Sequence, residues 1–376
     1  MTEKESWLYL AKIAGNEPAR RRKLLAYFHN PEEIFAASEE QLDECGFLEK
    51  NTIIEMLKQR KTDYGEELLK MQEAQIGFVT VSEPEYPSKL RDIPDAPHFL
   101  FFRGGLPKNN RPAVAIVGSR SCSGYGRMIA TRFAGELACA GVDIISGLAM
   151  GVDGAAHKGA LECGHDTFGV LGCGVDICYP SCNRYLYDAM REHGGILSEY
   201  YPGQSPMSYC FPQRNRIISG LSDAILVVEA REKSGTQITV THALEQGREV
   251  YAIPGRVGDP LSSGCNRLIA NGAVPALSSD DILSGLKNTY EILLSSERVK
   301  RDRNEKQAGL SKKDSAQTKI LRMLFERPHT AEEIASALGL TVTETGILMV
   351  TMELDGEVKE EAPGIYIPAR LDLCGL

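Results

Sequence analysis

Short apolar runs and helix-periodic stretches take turns along the middle of this chain. The runs are AVAIVG (113–118), VDIISG (142–147), TFGVL (167–171), GGILSE (194–199), AILVVEA (224–230), EVYAIPG (249–255) and AVPAL (273–277). They are short, largely β-branched and apolar without alternation, which marks strands buried on both faces. Between them lie helical stretches at Gly126–Ala140, Gly154–Cys163, Asn183–His193, Gln213–Leu221, Thr236–Gln246 and Asn266–Asn271. Such alternation implies parallel crossovers, so the pattern predicts an α/β fold: an extended, Rossmann-like, doubly wound and mostly parallel sheet over residues 76–287. GFVTV (77–81) reads as one more strand, and the proline-rich EYPSKLRDIPDAPHFLFFRGGL that follows it reads as a bridge.

The flanks have a different rhythm. Residues 1–75 carry apolar positions at three- and four-residue spacing and predict helices at Ser6–Ile13, Ala19–Tyr27, Pro31–Ala36, Glu39–Cys45 and Asn51–Met71. Asn30 before Pro31 is a good helix start. This is a small helical domain of sterile-alpha-motif or helix-hairpin-helix type, although the paired hairpin glycines of the latter are missing. Residues 288–315 lose the periodicity; within them RVKRDRNEKQAGLSKK holds seven Lys/Arg against two Asp/Glu, the composition of a flexible basic linker. A solvated tether is the plain reading, with DNA backbone contact as the alternative. Residues 316–376 predict three helices and a two-stranded wing, a winged-helix plan in which Thr330 and Glu333 form a capping box. The third of those helices, in TVTETGILMVTMELDG, has three acidic residues and no Lys or Arg, which does not suit a reader of duplex DNA.

Composition narrows the classes. A chain of 376 residues exceeds one ordinary core and fits two or three domains. It has no apolar run of about eighteen residues that would span a membrane and no signal-type apolar region near its start, so a cytoplasmic protein is expected. Reduced thiols are then the default for the ten cysteines. Cys173, Cys178 and Cys182, with Cys210 beyond them, form a C-x4-C-x3-C series rather than paired zinc knuckles, and no metal is assigned. The net charge of −9 argues against indiscriminate polyanion binding but leaves room for one basic pocket.

Candidate chemistry gathers where strands end. The first run passes into VGSRSCSGYGR, where Gly118 permits a sharp turn and serine hydroxyls, Ser119 among them, meet the start of a helix: an anion site. Arg120 sits where a dinucleotide fingerprint would bring backbone to a pyrophosphate, and it supplies a permanent cation instead. The second run ends in SGLAMGVDGAAHKGAL, where Gly147 and Gly151 allow close approach, Asp153 can cap or orient, and His157 reads as a packing residue. In FPQRNRIISG, Arg214 and Arg216 flank Asn215 at a predicted helix start beside Phe211, cations and an aromatic face suited to unstacked bases. Lys233, Ser234, Gly235 and Thr236 turn into another helix N-terminus. No phosphate-binding loop of the nucleotide hydrolases, nucleophile elbow or H-E-x-x-H motif is present, and Glu199 and Glu229 are not spaced as a metal pair. No catalytic residue and no cofactor is assigned.

Four segments together resemble one family: VAIVGSRSCSGYG, SGLAMGVDGAAHKGAL, FPQRNRIISGLSDAILVVEAREKSGT and REVYAIPGRVGDPLSSGCNRLIANGA. The chain is similar to the DprA (Smf) DNA-processing proteins of bacterial natural transformation. The resemblance implies a non-enzymatic protein that binds and protects single-stranded DNA without sequence specificity, loads the recombinase RecA onto it and forms a homodimer. It places DNA contacts on Arg120, Arg214, Arg216 and Lys233, with Gly118, Ser119, Gly147 and Gly235 shaping the pocket. It places the dimer surface near Asn266–Leu277, with Leu268 and Ile269 as candidate anchors. Gln237, where an apolar residue is usual, is a departure from the pattern. Two rivals remain: a nucleotide phosphoribohydrolase of the lysine-decarboxylase-like type, faintly echoed by EKSGTQIT without its closing glutamate, and a winged-helix transcription regulator.

Overall fold

The computed structural model describes residues 1–15, 17–286, 319–321, 323–324, 328–354, 358–362 and 364–368. The chain divides into two compact units, Met1–Arg298 and Val299–Leu376. The predicted basic linker, 288–315, lies outside the described residues.

The first unit opens with six helices: α1 (Glu3–Ala14), α2 (Pro18–Phe28), α3 (Pro31–Ala36), α4 (Glu39–Glu44), α5 (Lys50–Gln59) and α6 (Tyr64–Glu73). Local chemistry sets their starts. The Asn30 side chain accepts the Glu33 N–H with Pro31 in the first turn, and Ser38 with Gln41 forms a capping box. The single helix expected over Asn51–Met71 is two. Asp63 accepts the Glu66 N–H as the N-cap of α6, so the chain restarts there and the two apolar faces are set independently.

The sheet has nine strands in the order β1-β2-β6-β5-β4-β3-β7-β8-β9. They are β1 (Gly77–Thr80), β2 (Phe99–Gly104), β3 (Ala113–Val117), β4 (Asp143–Ser146), β5 (Thr167–Val170), β6 (Gly194–Ser198), β7 (Ala224–Val227), β8 (Glu249–Ala252) and β9 (Val274–Pro275). From β6 to β9 all pairings are parallel, with Val114 opposite Ala224 and Phe168 opposite Gly195. The sheet is thus mostly parallel and Rossmann-like. The predicted bridge contains a strand: Phe99–Gly104 pairs antiparallel with both β1 and β6. The prolines that flank it concealed the pairing, because each marks a turn and the apolar run between them, Phe99–Phe102, is only four residues long.

Helices cover both faces, the short α7 (Ser88–Arg91) and α10 (Arg184–Met190) among them. α8 (Gly124–Cys139) and α9 (Val152–Glu162) pack with β3, β4 and β7 in one core, through Phe133, Leu137, Val152 and Leu226. α11 (Cys210–Gly220), α12 (Thr236–Glu245) and α13 (Ser263–Ala270) form the other core through Ile217, Ile218, Val240, Cys265 and Leu268. Leu268 is 8% exposed and faces that core, so it is not the surface anchor expected of it; on a helix packed against a sheet its position falls on the inward stripe. Ile269 is half-buried at the edge of the same core. Cys139 and Cys163 are joined by a disulfide between the ends of α8 and α9, a departure from the expectation of reduced thiols.

The N-terminal helices dock on β1, β2 and β6 through a shared core that includes Trp7, Leu10, Phe78, Phe99 and Ile196. A buried ion triad reinforces the contact. Glu199, just past β6, binds Arg21 of α2 at 2.7 Å and Arg216 of α11 at 2.6 Å. Arg21 also lies over the Phe99 ring, 4.2 Å from its centroid.

In the second unit the described helices Ala331–Leu338 and Val342–Leu354 accompany a three-stranded sheet of His329–Thr330, Ile365–Pro368 and Val358–Ala362, in that order. Thr330 and Glu333 form the expected capping box. Among the described residues no single helix is long and apolar enough to cross a membrane.

Candidate nucleic-acid interface

The sheet order reverses at β3. Neighbours β4 and β7 lie on either side of it, and their connections leave in opposite directions, so a crevice forms beyond the carboxyl ends of β3 and β7. A groove of about 580 Å³ occupies that crevice. Gly118, Ser119 and Arg120 line it from the turn after β3, and Phe211, Arg214 and Asn215 from α11. Ser234, Gly235 and Thr236 complete it at the start of α12, a helix end with no side-chain cap, where the first N–H groups lack helical partners. Gly147 lines a smaller recess alongside, which shares Arg120, Phe211 and Arg214 with the groove.

Close backbone packing fixes the turn that carries Arg120. Gly151 has φ +79°, and a Cβ there would strike the Ser119 and Arg120 carbonyls, so only glycine lets the α9 turn lie against this loop. On the other side Glu229 clips both ends of the loop. Its backbone carbonyl accepts the Ser119 N–H at 2.7 Å, and its carboxylate accepts the Ser123 N–H at 2.8 Å and the Ser123 hydroxyl at 2.5 Å. The start of α8, expected from sequence to take a ligand anion, is therefore occupied by the chain's own carboxylate. A helix N-terminus favours any nearby negative charge, and Glu229, 5% exposed, is the one the fold delivers.

Arg120 is exposed, forms no ion pair among the described residues, and sits 5.3 Å from the Phe211 ring centroid. Tyr179 stacks on Phe211, with ring centroids 5.6 Å apart and planes at 28°. Sequence reasoning missed Tyr179, which lies in a loop between β5 and the next helix and carries no local signal of its destination.

The two arginines of α11 part company. The helix starts at Cys210, four positions before Arg214, because Cys210, Phe211 and Pro212 already form its first turn. Arg214 and Arg216 therefore lie in the helix body rather than at its start, and two residues turn a side chain by about 200°. Arg214 faces the groove. Its guanidinium donates to the Gly147 carbonyl at 2.8 Å and to the Val170 carbonyl, and its Nε to Asn215 Oδ1 at 3.2 Å. Arg216 points the other way, into the Glu199 triad, and lines neither cavity.

Asp153, buried under the groove, accepts the Gly147 N–H at 3.1 Å; burial pushes its carboxyl above the ordinary range against the pull of Arg214. Lys233 is exposed but does not line the groove; Arg231, two residues earlier, does. His157 is fully buried, and its Nδ1 meets the Thr167 hydroxyl at 2.8 Å, a packing role. Cys173 and Cys178 are buried and Cys182 is exposed; the described residues hold no group of three or more His, Cys, Asp or Glu able to bind a metal.

The arrangement offers an exposed cation beside stacked aromatic rings, a second cation at Arg231, and a helix N-terminus across the groove. Phosphates suit the cations and amides, and unpaired bases suit the rings.

Comparison with known proteins agrees with this chemistry. Residues 77–287 match the family described as DNA recombination-mediator protein A. The chain is 45% identical over 199 residues to DNA processing protein DprA of Streptococcus pneumoniae, covering 53% of this chain and 70% of that protein. It is 31% identical to Protein Smf of Synechocystis, across 98% of this chain and 99% of that one. The X-ray structure of the Streptococcus pneumoniae protein superposes with a TM-score of 0.63 at 35% identity, covering 76% of this chain and 98% of that one. A structure of DNA processing protein A from Helicobacter pylori, described for its single-stranded DNA binding mode, superposes with a TM-score of 0.51 at 28% identity, covering 57% and 97%.

Proposed function

This chain belongs to the DNA recombination-mediator protein A family, and from that premise we propose that it binds single-stranded DNA in the β3–β7 groove without reading its sequence. One observation carries the reading: Arg120, unpaired among the described residues, lies against the Phe211 ring at the mouth of a groove closed by the start of α12. Cation and ring together fit a DNA strand whose bases are unstacked and whose phosphates are exposed. The Helicobacter pylori relative, described for its single-stranded DNA binding, supports the same ligand.

In this mechanism the protein holds and shields, and no bond is made or broken. Arg120, Arg231 and the Ser234–Thr236 amides take phosphates, while Phe211 and Tyr179 take bases. Arg214 acts one step behind: by tying the Gly147 and Val170 carbonyls together it keeps the ends of β4 and β5 at the spacing the groove needs. The bound strand would then be passed to RecA, as the family resemblance implies. Homodimerisation, implied in the same way, would set two grooves on one assembly and raise avidity. Its apolar anchors would be Ile269 and Leu277, which is 73% exposed, rather than Leu268.

The test is fluorescence anisotropy with labelled single-stranded and duplex oligonucleotides across a salt series. Wild type should prefer the single strand with a falling log–log salt dependence. Arg120→Ala should weaken binding about ten- to a hundredfold for every base composition and flatten the slope. Equal or absent binding of the two DNA forms by wild type would overturn the reading.

A further inference from the structure

A second groove opens at the far end of the turn that carries Arg120. Its volume is about 620 Å³, and its walls include Ser123, Tyr125, Glu229, Arg256, Asp259 and Ser262. The first groove meets the turn at Ser119 and Arg120, and the second meets the same turn at Ser123. The bond from the Ser119 N–H to the Glu229 carbonyl closes the ridge between them. The second groove is built in advance of any ligand. Asn266 clamps its outer lip by accepting the Gly255 N–H at 3.1 Å and donating to the Gly255 carbonyl at 3.0 Å, which sets Arg256 on the rim.

Its polarity is layered. The floor is the Glu229 carboxylate, already satisfied by Ser123 and hostile to a phosphate placed deep in the groove. The rim carries the exposed Arg256 and the Tyr125 ring, 52% exposed; the half-buried Asp259 is a second carboxylate of the lining, its Oδ1 engaged by the Leu261 N–H at 2.9 Å. A ligand matching that order has a flat ring for Tyr125, an anion for Arg256, and hydrogen-bond donors, such as exocyclic amines of a base, toward the acidic floor. Resting on the function proposed above, we propose that the second groove takes the next nucleotides of the same DNA strand, which crosses the Ser119–Ser123 ridge with its base on Tyr125 and its phosphate at Arg256.

The experiment compares oligonucleotides of about six and about sixteen nucleotides on the full chain, in wild type, Tyr125→Ala and Arg256→Ala, by fluorescence anisotropy. Neither residue lines the first groove. Wild type should gain affinity with length, and each variant should lose about tenfold on the longer DNA while holding the shorter one as tightly as wild type does. Photocrosslinking of the longer DNA, made with 4-thiothymidine, should label the peptide that contains Tyr125. Variants that match wild type at both lengths, or that lose both lengths equally, would overturn a separate second groove. Wild type that binds neither length would instead overturn the function on which the groove rests.

Discussion

Single side chains in this protein take their meaning from what lies across the fold. His157 is the clearest titrating case. The Thr167 hydroxyl donates to the Ile144 carbonyl at 2.8 Å, so its oxygen is left to accept from His157 Nδ1–H, while burial with Arg214 nearby holds the imidazole pKa down to about 3. The native state therefore keeps His157 neutral over a range where the unfolded chain binds a proton. Stability from this group is fully present above the ordinary histidine pKa of about 6.5 and is lost as pH falls from there toward about 3. The expected slope is about 1.4 kcal/mol per pH unit for the one site. Urea unfolding from pH 7 to pH 4, on wild type and His157→Gln, checks this: the variant should be less stable at pH 7 but flatter with pH. Parallel pH profiles would remove the assignment. The same scale shows what a sequence discloses about a site. Arg120 was legible because a strand end and a glycine turn locate it without tertiary knowledge. Arg231 and Lys233 were not separable, because both lie in the loop after β7 and only its path decides which one reaches the groove.

Elements are held in register by charges that no local pattern displays. Glu199 joins α2, β6 and α11, and its partner Arg21 is 178 positions away in the chain. Burial alone would raise the Glu199 pKa, but Arg216 and Arg21 outweigh it and hold the carboxyl below its ordinary range. Removing that carboxylate would leave two guanidiniums buried without their counter-charge. Glu199→Ala should therefore lower the unfolding free energy by about 3–5 kcal/mol; a loss below about 1 kcal/mol in urea titration would mean the triad does not anchor the helices. Long separation is also why two parts of the sequence reading needed revision. Arg216 read as a DNA contact because cations near a helix start lack an intrahelical reason; the reason is Glu199, at 2.6 Å and seventeen positions away. The start of α8 read as open to an anion because Glu229 is 106 positions from Ser123. By contrast the parallel strands were legible at once, since burial on both faces writes itself into an unbroken apolar run.

At the scale of the whole molecule, a net charge of −9 and a role in binding DNA are compatible only if affinity is local. The groove meets that condition within Met1–Arg298, where its lining residues all lie. The described residues of the second unit, which leave out the basic stretch 299–315, do not add to it by charge. Its helix Val342–Leu354 carries Glu344 and Glu353 and no Lys or Arg, and its exposed apolar residues include Val342, Ile347 and Val350. A helix of that composition repels phosphate and suits contact with protein. Two expectations separate the units. A chain ending at Arg298 should bind single-stranded DNA within about threefold of the full chain and with the same salt slope, because no phosphate-binding cation is lost from the groove. The full chain should show no salt-sensitive duplex affinity beyond what its single-strand groove provides, and anisotropy on matched duplexes for both chains reads that directly. Loss of single-strand binding on truncation, or duplex binding present only in the full chain, would relocate part of the DNA contact beyond Arg298. Should both expectations hold, the DNA contact lies wholly within Met1–Arg298, and the acidic helix is left to contacts other than DNA.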